Sequence, residues 1–469
     1  MIKFLESTVA AYSFSREPKE VKVIRTDNRE IKTKIPAPGT SEILEKLDKY
    51  ESRSMHGQLP IIWDKAIDYN VFDHLGNKWI DFTSMIFVAN VGHGNKHVIS
   101  KVEEVLKKPL LGCYAYPNKT RSDYLERLVR FAGPNFQKAF LLSAGTEATE
   151  AAFKLMKMNG QKIGKKKNVV IAGSGNWHGR TLAAQMLSDN VNQRSWTNHD
   201  QNDIVHIPFP YPWVLNGKSA AEFLRESLQV IEEKGIYLRE DVCGVMLETF
   251  QGWGAIFYPK EYIQELRRIC DKNNILLCFD EMQSGFGRTG KNFGYEHYGV
   301  VADLICCGKG MGGGFPISGV VGRSQIMDLP ETGNMSSTHS GHPVMCAAGL
   351  GVLDELENRN LVKESERKGQ ILHSKIKEIN SKFPKAISST YGEGLIASIV
   401  FHTEENKLQS FRKVSILAEM CMQKGLLVVH TGRESIKIGP PLTITDEALI
   451  EGIAIISESI QEVYNDFWS

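Results

Sequence analysis

The chain has 469 residues, 42% of them hydrophobic and 24% charged, with a formal net charge of +1. That length buries a large core and suggests about three domains as a first expectation. A charge this close to balance points to no nucleic acid, membrane surface or polyanionic partner.

Along the chain, the opening "MIKFLESTVAAYSFSREPKE" places Glu6 inside its short apolar run and reads as no signal peptide. The first eighty or so residues carry little periodicity. "AFLLS" (Ala139–Ser143) predicts a strand, followed by a helix beginning near Ala148. The basic run Lys165–Lys167 precedes another strand-like run, "VVIAG" (Val169–Gly173), and reads as a solvated turn. "VCGVMLE" (Val242–Glu248) leads into a loop. From Pro259, a good first helical residue, Ile263, Leu266 and Cys270 recur at helical spacing until about Asn273. "ILLCFDE" (Ile275–Glu281) and "LICCGK" (Leu304–Lys309) follow. Long amphipathic helices such as Leu361–Phe383 then alternate with short strands. No apolar run approaches the length of a membrane span.

Apolar runs without alternation fit strands buried on both faces of a mainly parallel sheet. Strand and helix alternate through the middle of the chain, which predicts an α/β class. The expected division is an N-terminal segment, 1–81, packing with the smaller domain. A large α/β domain follows over 82–343, and a smaller α+β domain over 344–469. The eight cysteines show no CxxC or Cys/His ligand spacing. Cys278, Cys306 and Cys307 sit in apolar runs as small hydrophobes, which favours a reducing compartment and predicts a cytoplasmic protein without a metal.

In open α/β sheets ligands bind beyond the carboxyl ends of the strands. Four such ends carry reactive groups here. "LLSAGTEATEAAFKL" makes a strand, a turn at Gly145 and Thr146, and a helix whose first amides suit a phosphate or are simply capped. "SGNWHGRT" puts Trp177, His178 and Arg180 on one turn, with an indole able to stack on a flat ligand and a guanidinium able to grip a carboxylate. Asp280 emerges from a wholly apolar strand, a costly place for a carboxylate unless it meets a cation. Lys309 ends the next run and is flanked by glycines in "CCGKGMGGGFP". A lysine, a strand-end aspartate, an aromatic plate and a phosphate-type turn are the parts that a pyridoxal phosphate site needs.

At this point the chain resembles the class III aminotransferases, the 4-aminobutyrate and ornithine type, which are fold-type I pyridoxal phosphate enzymes. The similarity runs from about Pro60 to the C-terminus. It is strongest in "FDEMQSGFGRTG" followed by "GKGMGGGFPISGV", with "DHLGNKWIDF", "HGRT", "STHSGHP" and "GPPLTIT" in matching order. "TKIPAPGTSEIL" is similar to the opening of 4-aminobutyrate aminotransferases. The resemblance implies a large domain with a mainly parallel mixed sheet, a smaller α+β domain, and pyridoxal 5'-phosphate as cofactor. Lys309 would be the Schiff-base lysine and proton carrier, and Asp280 would pair with the pyridine nitrogen. Trp177 would stack on one face of the ring and Met282 would pack on the other. Gln283 would reach the phenolic oxygen. Ala144, Gly145 and Thr146 would hold the phosphate, joined by Thr338 from the neighbouring subunit of a homodimer. The implied activity is transamination between an amine or amino acid and a keto acid or carbonyl acceptor. An intramolecular aminomutase or a decarboxylating transaminase of the same fold is the alternative. A fold without turnover is opposed by the presence of both Lys309 and Asp280.

Three positions depart from the family pattern. Lys437 stands where many members have an arginine before "PPL", Tyr391 replaces an arginine in "YGEGL", and Trp253 stands where relatives that alternate between two amino acids carry a gating glutamate. Arg180, Trp253 and Lys437 are the candidate substrate contacts. Lysine meets a carboxylate as a point charge and lacks the arginine fork. The sequence therefore predicts that glutamate with 2-oxoglutarate is not a strongly preferred pair. Other motifs fail. Pro212 occupies the first glycine position of a P-loop-like stretch ending near Lys218, the glycines of "GSGNWHG" are misspaced for a dinucleotide fingerprint, and His93 and His178 lack metal spacing and read as structural or supporting residues.

Overall fold

The apolar runs of the middle of the chain form one seven-stranded sheet. The computed structural model describes residues 12–197, 203–404 and 406–468, so the run around Glu6 lies outside the described residues. In it the sheet is ordered Lys138–Leu142, Ser318–Gly322, Leu304–Cys307, Leu276–Asp280, Val242–Glu248, Val169–Gly173 and Ile204–Ile207. Neighbours run parallel except where Ser318–Gly322 lies antiparallel to both of its own. Val169–Gly173 and Val242–Glu248 are buried at every residue, as strands covered on both faces should be. Asp280 pairs with Glu248 on one side and with Cys306 on the other. The register thus brings two strand-end carboxylates to the same level, and Lys309 follows the end of the next strand by two residues.

The helix Gly145–Lys162 covers this sheet. Its Ala148, Ala152, Leu155 and Met156 share a core with Val170, Met246, Cys278, Leu304 and Val320. It begins three residues before the expected Ala148, because Glu147 reaches back to accept the amides of Ser143 and Ala144, each at 2.9 Å. The helix Lys260–Asn273 ends at Asn274 in the left-handed region, φ 53°. Pro259 is its cap residue, one position earlier than its expected place in the first turn.

The chain divides into two units. One comprises residues up to Asn95, Trp253–Ala255 and the chain from Glu364 onward; the other comprises Lys96–Gly252 and Ile256–Lys363. The second unit holds the seven-stranded sheet. The helix Pro343–Asn358 goes with it, whereas the sequence reading began the C-terminal domain at 344. Asp354 on this helix bonds His97 at 2.9 Å and Arg127 at 3.0 Å. Among its described residues the first unit has two sheets. One runs Ile24–Arg25, Glu30–Ile31, Lys78–Asp81, Asn70–Asp73, Trp63–Ile67, with Leu426–Leu427 beside Lys78–Asp81. The other is antiparallel in the order Ile387–Glu393, Ile396–Phe401, Ser435–Ile438, Val429–His430. No helix among the described residues is long and apolar enough to cross a membrane.

Candidate active site

Asp280 closes its strand by accepting the Met282 amide on Oδ1 at 3.0 Å, while its Oδ2 lies 2.8 Å from His178 Nδ1. His178 Nε2 in turn lies 3.3 Å from Asn176 Nδ2. One tautomer satisfies both contacts. Nδ1 donates to the carboxylate, and Nε2 accepts from the amide. His178 is fixed further by its own amide donating to Ser188 and its carbonyl accepting from Thr149, each at 2.8 Å. Asp280 is only 4% exposed, and each of its oxygens keeps a lone pair for one more donor.

Glu248, buried on the adjacent strand end, binds two of the expected residues. Its Oε1 accepts from Gln283 Nε2 at 3.2 Å and its Oε2 from the Trp177 amide at 3.0 Å. Lys309 is half-buried, and its backbone takes a left-handed φ of 40°, which costs energy for a side chain of this size. Burial lowers the pKa of its ammonium below 10.5, and the negative charges of Asp280 and Glu248 pull it part of the way back.

Met282 packs against two backbone positions without side chains. A Cβ at Gly145 would stand 2.9 Å from its Sδ, and one at Gly308 would stand 2.5 Å away. The helix Gly145–Lys162 begins at this spot with Ala144 as its cap, and no side-chain hydroxyl or carboxylate caps its first amides from that position. The Thr146 hydroxyl lies 2.6 Å from that of Thr181. Gly179 allows this approach through a φ of 137°, and a Cβ there would collide with Thr146 Oγ1. The helix start is thereby tied to the Trp177–Arg180 turn. Trp177 is 38% exposed, and the Arg180 guanidinium lies over its ring at 4.5 Å from the centroid. The expected grip of Arg180 on a carboxylate has this stacked position as its starting point. Thr338 is exposed.

These residues fit pyridoxal phosphate. An open helix N-terminus suits the phosphate, a carboxylate with a spare lone pair suits a protonated ring nitrogen, and an exposed indole and a packed methionine suit the faces of a flat ring. Among the described residues no group of three or more His, Cys, Asp or Glu side chains could hold a metal ion.

Trp253 and Lys437 belong to the other unit. Lys437 lies opposite Ser398, and Ser398 opposite Tyr391, so the three side chains share one face of the four-stranded sheet. The Ser435 hydroxyl donates to the Trp253 carbonyl at 3.0 Å, and Ser398 donates to that of Gly254. Lys437 is buried with its ammonium over the Phe87 ring, 4.6 Å from the centroid. Phe87 is delivered by Ser84–Phe87, four consecutive residues with φ between 48° and 67°. Such a left-handed turn of L-residues costs about 1–2 kcal/mol per residue. It is pinned by the Ser84 hydroxyl donating to the Gly439 carbonyl at 2.6 Å, and a Cβ at Gly439 would stand 2.3 Å from the Phe87 ring.

Sequence reasoning missed Glu248, although it ends an apolar strand as Asp280 does. It read His178 as a supporting residue but had no means of pairing it with Asp280, 102 positions away. The left-handed turn carried no signal, since a serine and three large apolar residues without a glycine are not expected there.

A family model described as aminotransferase class-III matches residues 52–460. The chain is 32% identical over 416 residues to the 5-aminovalerate aminotransferase DavT of Pseudomonas aeruginosa, covering 87% of this chain and 95% of that protein. It is 31% identical over 429 residues to the 4-aminobutyrate aminotransferase GabT of Escherichia coli, covering 90% and 98%. In fold it resembles the ornithine aminotransferase of Toxoplasma gondii, a structure with pyridoxal phosphate partly occupying its active site. The TM-score is 0.81 at 23% identity, over 92% of this chain and 96% of that one.

Proposed function

The chain belongs to the class-III aminotransferase family, and from that membership we propose that Lys309 is the amine that carries its cofactor and moves the substrate proton. The protein is a pyridoxal phosphate-dependent transaminase, exchanging an amino group between an amine or amino acid and a keto acid. When bound, the cofactor supplies a carbonyl that takes up the amine and a ring that accepts the electron pair left when the substrate carbon loses its proton. Ala144, Gly145 and Thr146 would hold the phosphate with helix amides, Trp177 and Met282 would flank the ring, and Gln283, anchored by Glu248, would meet its phenolic oxygen. Asp280 would meet the ring nitrogen with the carboxylate that His178 orients. The amine of Lys309 would take the proton from the substrate carbon and later give it back. General acid–base transfer of this kind contributes about 10²–10⁴-fold.

One observation carries the reading. Burial favours the neutral, proton-accepting amine of Lys309, at the same sheet end as Asp280 and Glu248. The test is Lys309→Ala. Steady amino transfer from a panel of amines to several keto acids should vanish while cofactor affinity falls only partly. Turnover near the wild-type rate would overturn the assignment. Release of a keto product separates transamination from an aminomutase, and carbon dioxide would reveal a decarboxylating course.

The site would be completed in a homodimer, with Thr338 of one subunit reaching the phosphate of the other. Its exposure leaves it free to do so. Activity should then fall as dilution produces monomers, and a fully active monomer by light scattering would contradict the arrangement. All eight cysteines are free thiols and seven are buried, which supports a reducing, cytoplasmic setting.

A further inference from the structure

The short helix Leu182–Leu187 begins at Thr181, a residue type that commonly caps such a start with its own hydroxyl. Here it makes no side-chain cap bond. The amides of Ala183 and Ala184 are taken instead by Glu150 Oε1, at 2.8 and 3.2 Å, from the helix Gly145–Lys162. The Thr181 hydroxyl is spared, and it lies 2.6 Å from that of Thr146. The Thr181 amide donates to the same Thr146 Oγ1 at 3.3 Å. All of these residues lie in the unit that holds the seven-stranded sheet. We propose that Thr181 is a positioning residue for the cofactor phosphate, donating to Thr146 through both hydroxyl and amide so that the Thr146 hydrogen turns to the phosphate. The proposal rests on the transaminase reading and deepens its phosphate site.

A hydroxyl has one hydrogen and two lone pairs. Two donors from Thr181 fill both lone pairs of Thr146 Oγ1, and its own hydrogen is then the one group it still has to offer. Thr146 stands in the first turn of an 18-residue helix, where the positive end of the dipole favours an anion. The reverse arrangement, Thr146 donating to Thr181, would turn a lone pair toward that anion and weaken the site. Donors in series also polarise one another, so a Thr146 hydroxyl that accepts twice donates more strongly. The surroundings hold the pair in place. The Thr149 hydroxyl lies 2.8 Å from the carbonyls of both Thr146 and His178, and Gly179 has no Cβ to collide with Thr146 Oγ1. Glu150, by capping the short helix, fixes where Thr181 starts it. Thr181 is exposed, so its bond to Thr146 competes with water, and its effect should be smaller than that of Thr146 itself.

Pyridoxal, which lacks the phosphate, separates this role from a general loss of structure. Cofactor-free protein is titrated with pyridoxal 5'-phosphate and with pyridoxal, followed by absorbance. Thr146→Val should weaken pyridoxal 5'-phosphate roughly 10–100-fold, the worth of a hydrogen bond to a charged group, and Thr181→Val roughly 3–10-fold. Neither should change pyridoxal by more than about twofold. Thr181→Ser keeps both donors and should stay within about twofold of wild type. Because Thr181 acts through Thr146, the double variant Thr146→Val, Thr181→Val should bind no more weakly than Thr146→Val alone. Inorganic phosphate should compete with pyridoxal 5'-phosphate in the wild type, and its inhibition constant should rise in Thr181→Val by the same factor. Unchanged pyridoxal 5'-phosphate affinity in Thr181→Val, an equal loss for pyridoxal, a serine variant as weak as the valine one, or losses that add in the double variant each overturn the proposal. A wild type that binds pyridoxal as tightly as its phosphate removes the phosphate site, and the proposal with it. Absence of turnover in the wild type would instead count against the transaminase reading, and the titrations decide Thr181 without turnover.

Discussion

Replacing Asp280 by Asn keeps the shape of the side chain and removes its charge. The Met282 amide keeps its acceptor, and His178 can turn its tautomer so that Nδ1 accepts from the new amide while the Asn176 amide flips to accept from Nε2–H. The loss to the fold is the difference between a charged and a neutral hydrogen bond, about 1 kcal/mol. The loss to the reaction is larger. A carboxylate about 4 Å from a positive ring nitrogen is worth about 4 kcal/mol at an effective dielectric constant of about 20. That is about a thousandfold in the step that leaves negative charge on the ring. Stopped-flow single turnover with a donor deuterated at the reacting carbon isolates that step, and thermal melting of cofactor-free protein reads the fold. The account predicts a proton-transfer rate down about a thousandfold with the isotope effect kept or increased, and a small change in Tm. A single-turnover rate within about threefold of wild type would refute the role given to Asp280.

Burial sets the pH behaviour of Lys309. Its folded pKa lies below its ordinary value of 10.5, so the charged form is disfavoured in the fold, and cofactor-free protein should gain stability as pH rises from the folded value toward 10.5. That gain should be missing in Lys309→Met, measured by melting across the alkaline range. Glu248→Gln removes an anion that favours the ammonium, and the apparent pKa of the half-reaction should fall further. Gly308→Ala would set a Cβ 2.5 Å from Met282 Sδ. Displacing that side chain should cost about 1–3 kcal/mol and weaken cofactor binding, read by fluorescence titration. Glu281 is fully buried and accepts from Thr249, Ser284 and the amides of Gly294 and Tyr295 at 2.5–2.8 Å. Glu281→Gln should lower stability by about 1–3 kcal/mol. Because burial raises the Glu281 pKa above 4.5, the fold loses stability as pH rises from 4.5 through the folded value, and melting in acid should show that component vanish in the variant.

The cofactor machinery was legible because it obeys local rules. An apolar run that ends in a carboxylate, as at Leu276–Asp280, announces a buried charge in need of a partner, and a lysine between glycines at the next strand end announces a loop folded tightly enough to aim it. Glu248 obeys the same rule, but its strand end has no lysine beside it to suggest a partner, so nothing local marks it as part of a site. The strand Ser318–Gly322 has glycines at 319 and 322 and no apolar run of its own, and only its antiparallel register with Phe140 and Cys306 gives it a place. The face that carries Tyr391, Ser398 and Lys437 could not be read at all. Its register joins three strands, and the segment Trp253–Ala255 reaches it from far along the sequence. Trp253, which looks isolated in sequence, lies under the guanidinium of Arg433, 180 positions later, and no spacing rule connects the two.

The central claim is that Lys309 carries the cofactor, and one measurement addresses it directly. Purified holoenzyme is reduced with borohydride, digested, and mapped by mass spectrometry. The account predicts a yellow protein with one phosphopyridoxyl group, on the peptide that contains Lys309. The same label on another lysine, or none in protein shown by absorbance to be loaded with cofactor, would contradict it.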